Sequence, residues 1–322
     1  MSAENAGGTM RAVVARGYGG AEVLETVTVP LPEPGPGQIR IRVEAATVNP
    51  VDLASRSGAL VEGGLMAARS CTGLGWDVAG VVDRLGAGVT AFAPGEPVIG
   101  LRDLLDVSLG TYAEYVVLDA AAVAPTPPGV SPVAAATLPL NGLTAAQSLD
   151  LLRPAPGDTL LVTGAAGAVG GFAVELAVRR GVRVVAQVGS ADREFAYRLG
   201  AEWTVGRDAQ ALAAEVRRVI PGGADAVLDT AGLGIRALAA VRTRGAYVTA
   251  AVGTAPPPLR GIRVHEQWIS ADGVALAGLA ALDLTLRVAD VLPLEGVARA
   301  HERLAEGGLR GRLVLAPSAG GH

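Results

Sequence analysis

D-T-L-L-V-T-G-A-A-G-A-V-G-G-F-A-V-E-L-A-V-R-R-G-V-R-V-V-A-Q-V-G-S-A-D-R, residues 158–193, carries four readable segments in a row. Leu160 to Thr163 is a short apolar run with β-branched members, the pattern of a parallel strand buried on both faces. A glycine-rich turn follows, with Gly164, Gly167 and Gly170 at intervals of three. Val169 to Arg180 has helical composition and stops at Gly181, a residue suited to the left-handed position just past a helix end. Val182 to Val188 is a second strand-like run, which completes a βαβ unit. Glycines let such a turn bring backbone close to a diphosphate, and the unpaired N–H groups at the helix start then hold the anion. In the usual G-x-G-x-x-G register the first position is Ala165, followed by Gly167 and Gly170, so the fingerprint is incomplete. An ordinary tight strand-to-helix turn would look similar. The strand before it, the helix after it and a polar pair one strand later favour a dinucleotide site.

The identity of the dinucleotide is a matter of charge. An NAD site wants an acid about twenty residues on, at the end of the second strand, to bond the ribose 2′-hydroxyl. Here the strand runs out through Gln187, Val188, Gly189 and Ser190, with no carboxylate. Ser190 and Arg193 suit a 2′-phosphate through a hydroxyl and a guanidinium. Ser190 also reads as a helix N-cap with Asp192 and Glu194 in the first turn, and the two readings are compatible. Asp192 is the alternative ribose acid, but it lies beyond the strand end. NADPH is the expected cofactor.

Composition removes whole classes of chemistry. The 322 residues contain no lysine, so all 27 basic residues are arginine. A Walker lysine, a Schiff-base lysine and the S-x-x-K serine enzymes are thereby excluded. One cysteine, Cys71, rules out a disulfide framework or a cysteine-rich zinc site. The three histidines, at 265, 301 and 322, form no H-E-x-x-H, and no G-x-S-x-G occurs. A net charge of −4 without a basic cluster speaks against nucleic acid. Half the chain is hydrophobic but only 3% is aromatic, as in α/β proteins rich in small apolar residues. The first residues, M-S-A-E-N-A-G-G-T, have neither a basic region nor an apolar core, and no apolar run reaches membrane-spanning length. A cytoplasmic protein is expected.

Outward from the central stretch the pattern changes in each direction. Before it come many short strand-like runs with Gly and Pro punctuation: Met10 to Ala15, Glu22 to Val29, Gln38 to Ala45, Gly75 to Val82, Phe92 to Leu101 and Gly110 to Val117. These predict a small, mostly β domain. Thr47 to Asp52 reads as a strand running into a turn and a short helix. Helical periodicity begins at Ser131. After Val188 strands and helices alternate: a helix over Asp192 to Leu199, a strand near Trp203 and a helix over Ala209 to Val219. A strand over Ala226 to Asp229, a helix through Val241 and a strand over Ala246 to Val252 follow. This predicts a parallel, doubly wound sheet whose ligand sits at the carboxyl ends of the strands, near Thr163, Gly189, Asp229 and Gly253. A helix over Leu294 to Leu304 and a strand over Gly311 to Leu315 then bring the chain back to the β domain.

Set in order, these residues resemble a known family. The matching pieces are Asn49-Pro50-x-Asp52, Gly75-x-Asp77-x-Ala79-Gly80-Val81-Val82, Gly86-x-Gly88-Val89 and Gly95-Glu96-Pro97-Val98. Gly110-x-Tyr112-Ala113-Glu114-Tyr115, Gly142-Leu143-Thr144-Ala145, the Gly164 to Gly170 turn, Leu199-Gly200-Ala201 and Gly311-Arg312 continue the series. The chain resembles the zinc-independent quinone oxidoreductases of the medium-chain dehydrogenase/reductase superfamily. The resemblance implies an α/β protein with a GroES-like, mostly-β catalytic domain over 1–125 and 285–322, and a Rossmann NADPH domain over 126–284. It places Asn49 and Thr144 near the nicotinamide, which would lie in the cleft between the domains. Asp52, Arg56 and Leu60 would fall at the substrate pocket. It assigns Gly164, Ala165, Gly167, Ala168, Val169, Gly170, Ser190, Arg193, Gly253 and Arg312 to the cofactor. It also implies a homodimer through the edge strand Ile262 to Ile269. The segment holding Asn49 lacks the metal cysteine of zinc-dependent relatives, so no metal site is expected. The sequence departs from many relatives at Ser57-Gly58-Ala59-Leu60-Val61, where a substrate-facing tyrosine is missing, and Ala54 stands where some carry another.

The expected chemistry is hydride transfer from NADPH to a quinone or an α,β-unsaturated carbonyl, with Asn49, a cofactor ribose hydroxyl or water as donor to the growing oxyanion. Asn49 reads equally as a turn residue before Pro50. Asp52 and Asp77 read as braces, while Arg56 and Arg102 suit either an acidic substrate or solvent. Trp76, Tyr112, Tyr115 and His301 read as packing residues. Two other functions fit the same residues: an enoyl reductase acting on an acyl or polyketide intermediate, and a non-catalytic NADPH-binding sensor or structural protein.

Overall fold

The computed structural model describes residues 8–317. The N-terminal segment read for a leader therefore lies largely outside the described residues, as does His322. Among the described residues no helix is long and apolar enough to cross a membrane. The chain divides into two compact units, one running to Leu140 and resuming at Ser270, the other being Asn141–Ile269. The family resemblance implies boundaries at 125/126 and 284/285 instead. The helix Gly273–Ala280 shows why the later stretch joins the first unit: a Cβ on Gly273 would stand 2.4 Å from the Val123 carbonyl oxygen.

The first unit is built on two sheets. Leu24–Pro30, Thr9–Arg16 and Cys71–Gly73 form a three-stranded antiparallel sheet in that order. The larger sheet runs Val288–Pro293, Arg312–Ala316, Gln38–Val48, Asp77–Leu85, Pro97–Leu101 and Val123–Pro125, with Tyr115–Asp119 also pairing with Gln38–Val48. Alternation places Ile39, Ile41 and Val43 of the long strand inward, where they meet Val78, Val82, Tyr112, Leu313 and Leu315 in one core. Val297 and Ala300, on the helix Val297–Glu306, close that core.

The second unit is a six-stranded, wholly parallel sheet. Its order is Trp203–Val205, Arg183–Gln187, Thr159–Thr163, Ala224–Asp229, Val241–Thr249 and Arg263–Glu266. Numbered along the chain, that is 3-2-1-4-5-6, with a switch of winding between the first and fourth strands. The helix Ala168–Arg179 crosses from the first strand to the second. Leu160, Leu161, Val162, Val184, Val185 and Ala186 are all fully buried, as strands covered on both faces must be.

Two expectations fail in detail. The helix expected through Val241 ends at Leu238, and the strand starts at Val241 rather than Ala246. Val241 is fully buried and pairs with Ala224, and Arg244 takes a left-handed φ of 62° that no helix accommodates. The Gly110 to Val117 run forms a ladder only from Tyr115. Its earlier residues keep the alternation but bond elsewhere: Thr111 N and Tyr112 N donate to the Gly75 and Leu74 carbonyls, and Glu114 N to that of Arg11.

Candidate functional site

At the switch of winding, Gly164 follows the first strand with φ 58°, a left-handed conformation that favours glycine. A Cβ there would also come within 2.9 Å of Thr230 Oγ1. Gly167 is the residue before the helix, and Gly170 sits in its first turn, where a Cβ would be 2.4 Å from the Gly164 carbonyl oxygen and 2.8 Å from Ala165 Cα. Helix and turn therefore touch backbone to backbone. Ala165 is fully buried, and its N–H donates to the Gln187 carbonyl at 3.1 Å, tying the turn to the second strand. Ala168, Val169 and Gly170 occupy the helix's first turn, whose N–H groups have no intrahelical acceptor. Such a start, with its positive dipole end, is chemically fitted to an anionic diphosphate. Gly253, with φ 76°, lies in the turn after the fifth strand and donates to Glu266 Oε2 at 3.0 Å. Thr144, on the helix Pro139–Leu152, is buried.

The end of the second strand brings together more charge than the sequence disclosed. Ser190 begins a short 3₁₀ turn, Ser190–Asp192, and is exposed. Arg193 opens the helix Arg193–Arg198 and is exposed as well. Arg207, just past the third strand, arches over the same corner: its guanidinium carbon lies 3.3 Å from where a Cβ on Gly189 would be. It pairs with Asp192 at 3.4 Å and is 68% exposed, while the Asp192 side chain is only 9% exposed. Asp192, the alternative ribose acid, is thus turned inward toward an arginine. Nothing in the local sequence spacing points to Arg207, because it reaches the corner through the pairing of parallel strands.

In the first unit Asn49, Asp52, Asp77, Tyr112 and Arg312 form a buried polar cluster. Asn49 and Asp52 are the N-cap and third residue of the helix Pro50–Ser57, and Asp52 Oδ2 accepts from Asn49 N at 2.9 Å. Asp52 Oδ1 accepts from Gly75 N at 2.8 Å. The Asn49 amide nitrogen donates to Asp77 Oδ2 at 2.6 Å, and Thr47 Oγ1 at 3.0 Å and the Thr47 carbonyl oxygen at 3.4 Å accept from it as well. Asp77 also accepts from the Thr47 hydroxyl and from Leu140 N. Burial pushes the Asp52 carboxyl up to about 7, against the backbone donors of Asn49 and Gly75. Burial likewise raises Asp77 to about 6, opposed by Thr47, Leu140 and Asn49 and by the charge of Arg312. Arg312 is 9% exposed, and burial lowers its guanidinium to about 10 while Asp77 and Asp52 pull it back up.

Arg56 is half-buried, and among the described residues its Nε has no hydrogen-bond partner. Leu60 is buried in the short helix Ala59–Glu62. His301 is fully buried, neither ring nitrogen has a partner among the described residues, and its ring stands edge-on to Tyr112 with centroids 6.0 Å apart. Burial, then the charge of Arg56, lowers this imidazole to about 3.

Among the described residues no three or more His, Cys, Asp or Glu side chains are grouped to hold a metal ion. Asp52 and Asp77 direct their oxygens at N–H and O–H donors within the fold, so this donor set does not fit zinc.

A parallel 3-2-1-4-5-6 sheet with a glycine turn at its switch point defines a dinucleotide-binding unit of the dehydrogenase type. Comparison with known proteins agrees. Residues 35–128 match the family described as "Alcohol dehydrogenase GroES-like domain", and residues 168–285 match "Zinc-binding dehydrogenase". A chloroplastic quinone-oxidoreductase homolog from Spinacia oleracea is 34% identical over 200 residues, 60% of either chain. The chain thus spans only about 60% of that curated relative's length. Among solved structures, an NAD-dependent alcohol dehydrogenase is 34% identical, with TM-score 0.84 over 95% of this chain and 99% of that one. A mycobacterial protein complexed with NADPH is 30% identical, with TM-score 0.82 over 96% of this chain and all of that one (100%). The chain belongs to the medium-chain dehydrogenase/reductase superfamily, in its quinone oxidoreductase-like family.

Proposed function

We propose that the protein is a zinc-free reductase that uses NADPH to reduce a quinone or an α,β-unsaturated carbonyl. The observation that carries this reading is the corner of Gly189 and Ser190, where Arg193 and Arg207 flank a serine and the nearby carboxylate is engaged by Arg207. Two guanidiniums there favour a doubly charged 2′-phosphate over a neutral ribose hydroxyl. The spinach homolog's name supports a quinone, and the NADPH complex of the mycobacterial relative supports the cofactor.

When bound, the nicotinamide supplies the hydride. The chain's own residues supply position. First-turn N–H groups at Ala168 and Val169 hold the diphosphate, with Gly164, Ala165, Gly167 and Gly170 permitting the approach. Ser190, Arg193 and Arg207 hold the 2′-phosphate, while Thr144 and Gly253 border the other end of the dinucleotide. Asn49 braces the segment before Pro50 through Asp52, Asp77 and Thr47 and stands among the donors to the growing oxyanion. The growing oxyanion takes its hydrogen bond from Asn49, a cofactor hydroxyl or water, and its proton from solvent. Asp52, Arg56 and Leu60, with the loops 58–72 and 101–109, shape the substrate side, and Arg312 holds the charge balance of Asp77 and Asp52. A second copy pairs through the edge strand.

Stopped-flow oxidation of NADPH against a panel of quinones and enones tests the proposal. Turnover that saturates with at least one acceptor is expected, insensitive to chelators. Saturable NADPH binding without turnover on any acceptor would replace the enzyme with a non-catalytic binding protein.

A further inference from the structure

Asp229 ends the fourth strand of the parallel sheet, and its side chain is fully buried. Four donors converge on it. Thr163 Oγ1 at 2.6 Å and Ala231 N at 3.1 Å reach Oδ1, while Tyr247 Oη at 2.7 Å and Gly234 N at 2.9 Å reach Oδ2. Its own carbonyl oxygen accepts from Ala250 N at 3.0 Å. Thr163 is the last residue before the glycine turn, and Thr230 Oγ1 donates to its carbonyl at 2.7 Å while standing against Gly164. Tyr247 and Ala250 belong to the strand and turn that lead to Gly253. One carboxylate therefore ties together the glycine turn, the loop 230–234 and the turn at 250–254. Burial and the neighbouring carboxylate push the Tyr247 phenol above its usual value, so it stays protonated as the donor.

These ties are not needed to hold the sheet. Asp229 and its ladder partners Thr163 and Thr249 are already paired through their strands. What the carboxylate adds is the conformation of the segments beyond the strand ends. We propose that Asp229 is a positioning residue of the nucleotide site. It holds the glycine turn and the Gly253 turn in fixed relation, so that a dinucleotide meets preset backbone at both ends. The proposal rests on reading the glycine turn as a dinucleotide site. A preset site spares the ligand the cost of ordering those segments, which is why loss of the brace weakens binding.

Tyr247→Phe and Thr163→Val each remove one donor with little change of volume, and neither side chain is placed against the nucleotide. Hydrogen–deuterium exchange on the nucleotide-free variants should quicken in 164–170 and 250–254 while the strand Arg183–Gln187 keeps the parent's protection. NADPH and NADH should both bind roughly fivefold more weakly, about the worth of one hydrogen bond, by the same factor for each. Unchanged exchange at both turns overturns the proposal. So does a loss confined to NADPH, or unchanged affinity in variants of a parent that binds. If the parent binds neither nucleotide, the functional reading falls, and the exchange pattern decides the brace by itself. Should Tyr247→Phe fail to fold, Thr163→Val interrogates the other carboxylate oxygen.

Discussion

Gly170→Ala asks whether the helix start must press against the glycine turn. The added methyl carbon would lie 2.4 Å from the Gly164 oxygen, whereas ordinary contact begins at 3.4 Å, so the helix has to withdraw by about 1 Å. The three nearest obstructing atoms are all backbone, and no side chain can rotate aside. Forced repacking of this kind costs about 1–3 kcal/mol. The same retreat carries the first-turn N–H groups away from the anion they are to hold. Gly167→Ala is the matched control: its Cβ would meet the same oxygen at 3.0 Å, and its φ of −74° suits alanine. Urea unfolding should therefore show Gly170→Ala destabilised by about 1–3 kcal/mol and Gly167→Ala by less. Fluorescence titration should show the same ranking for NADPH affinity. If Gly170→Ala matches the parent in both assays, the close approach of helix and turn is not a constraint, and the reading of this stretch is wrong.

Three further outcomes follow from the charged and buried groups. Arg193→Ala and Arg207→Ala should each weaken NADPH by ~1.5–3 kcal/mol and leave NADH unchanged in parallel titrations, and equal losses for both nucleotides would refute the phosphate assignment. Asp52 holds in the folded state, up to about pH 7, a proton that the unfolded chain releases near 3.8. Its contribution to stability is therefore complete below 3.8 and disappears as pH rises through about 7, with a slope of up to about 1.4 kcal/mol per pH unit. Asp52→Asn should flatten the fall in unfolding free energy between about pH 4 and pH 7; a slope equal to the parent's there would deny Asp52 this role. His301 has the opposite sign: its folded value near 3 against 6.5 unfolded means stability is lost as pH falls below 6.5. His301→Leu should remove that acid sensitivity and, by deleting unpartnered buried nitrogens, leave the protein at neutral pH as stable as the parent or about 1 kcal/mol more so, read by urea unfolding at both pH values.

The central stretch was legible because its constraint is steric and local. The φ of Gly164 favours glycine, the contact at Gly170 leaves no room for a Cβ, and the strand and helix on either side have distinct periods. The parallel sheet followed from alternation of strands and helices. Other features depend on chain separation that no spacing reveals. Arg207 meets Gly189 only because the third strand lies beside the second. Asp229 read as a strand end, and nothing in its neighbourhood announced the Thr163 and Tyr247 hydroxyls that converge on it. Asn49 is open to two readings, because an N-cap and an oxyanion donor use the same side-chain amide, and no spacing announces the Asp77 and Thr47 oxygens beside it.

The strand Arg312–Ala316 has a consequence for how the molecule is made. It lies along Gln38–Val48, and it delivers the guanidinium that offsets two buried acids from near the start of the chain. On the ribosome, the segment from Asn141 to Ile269 is contiguous and can assemble as soon as it emerges. The β unit, by contrast, waits with an unpaired edge and uncompensated carboxylates until the strand Arg312–Ala316 has been synthesised.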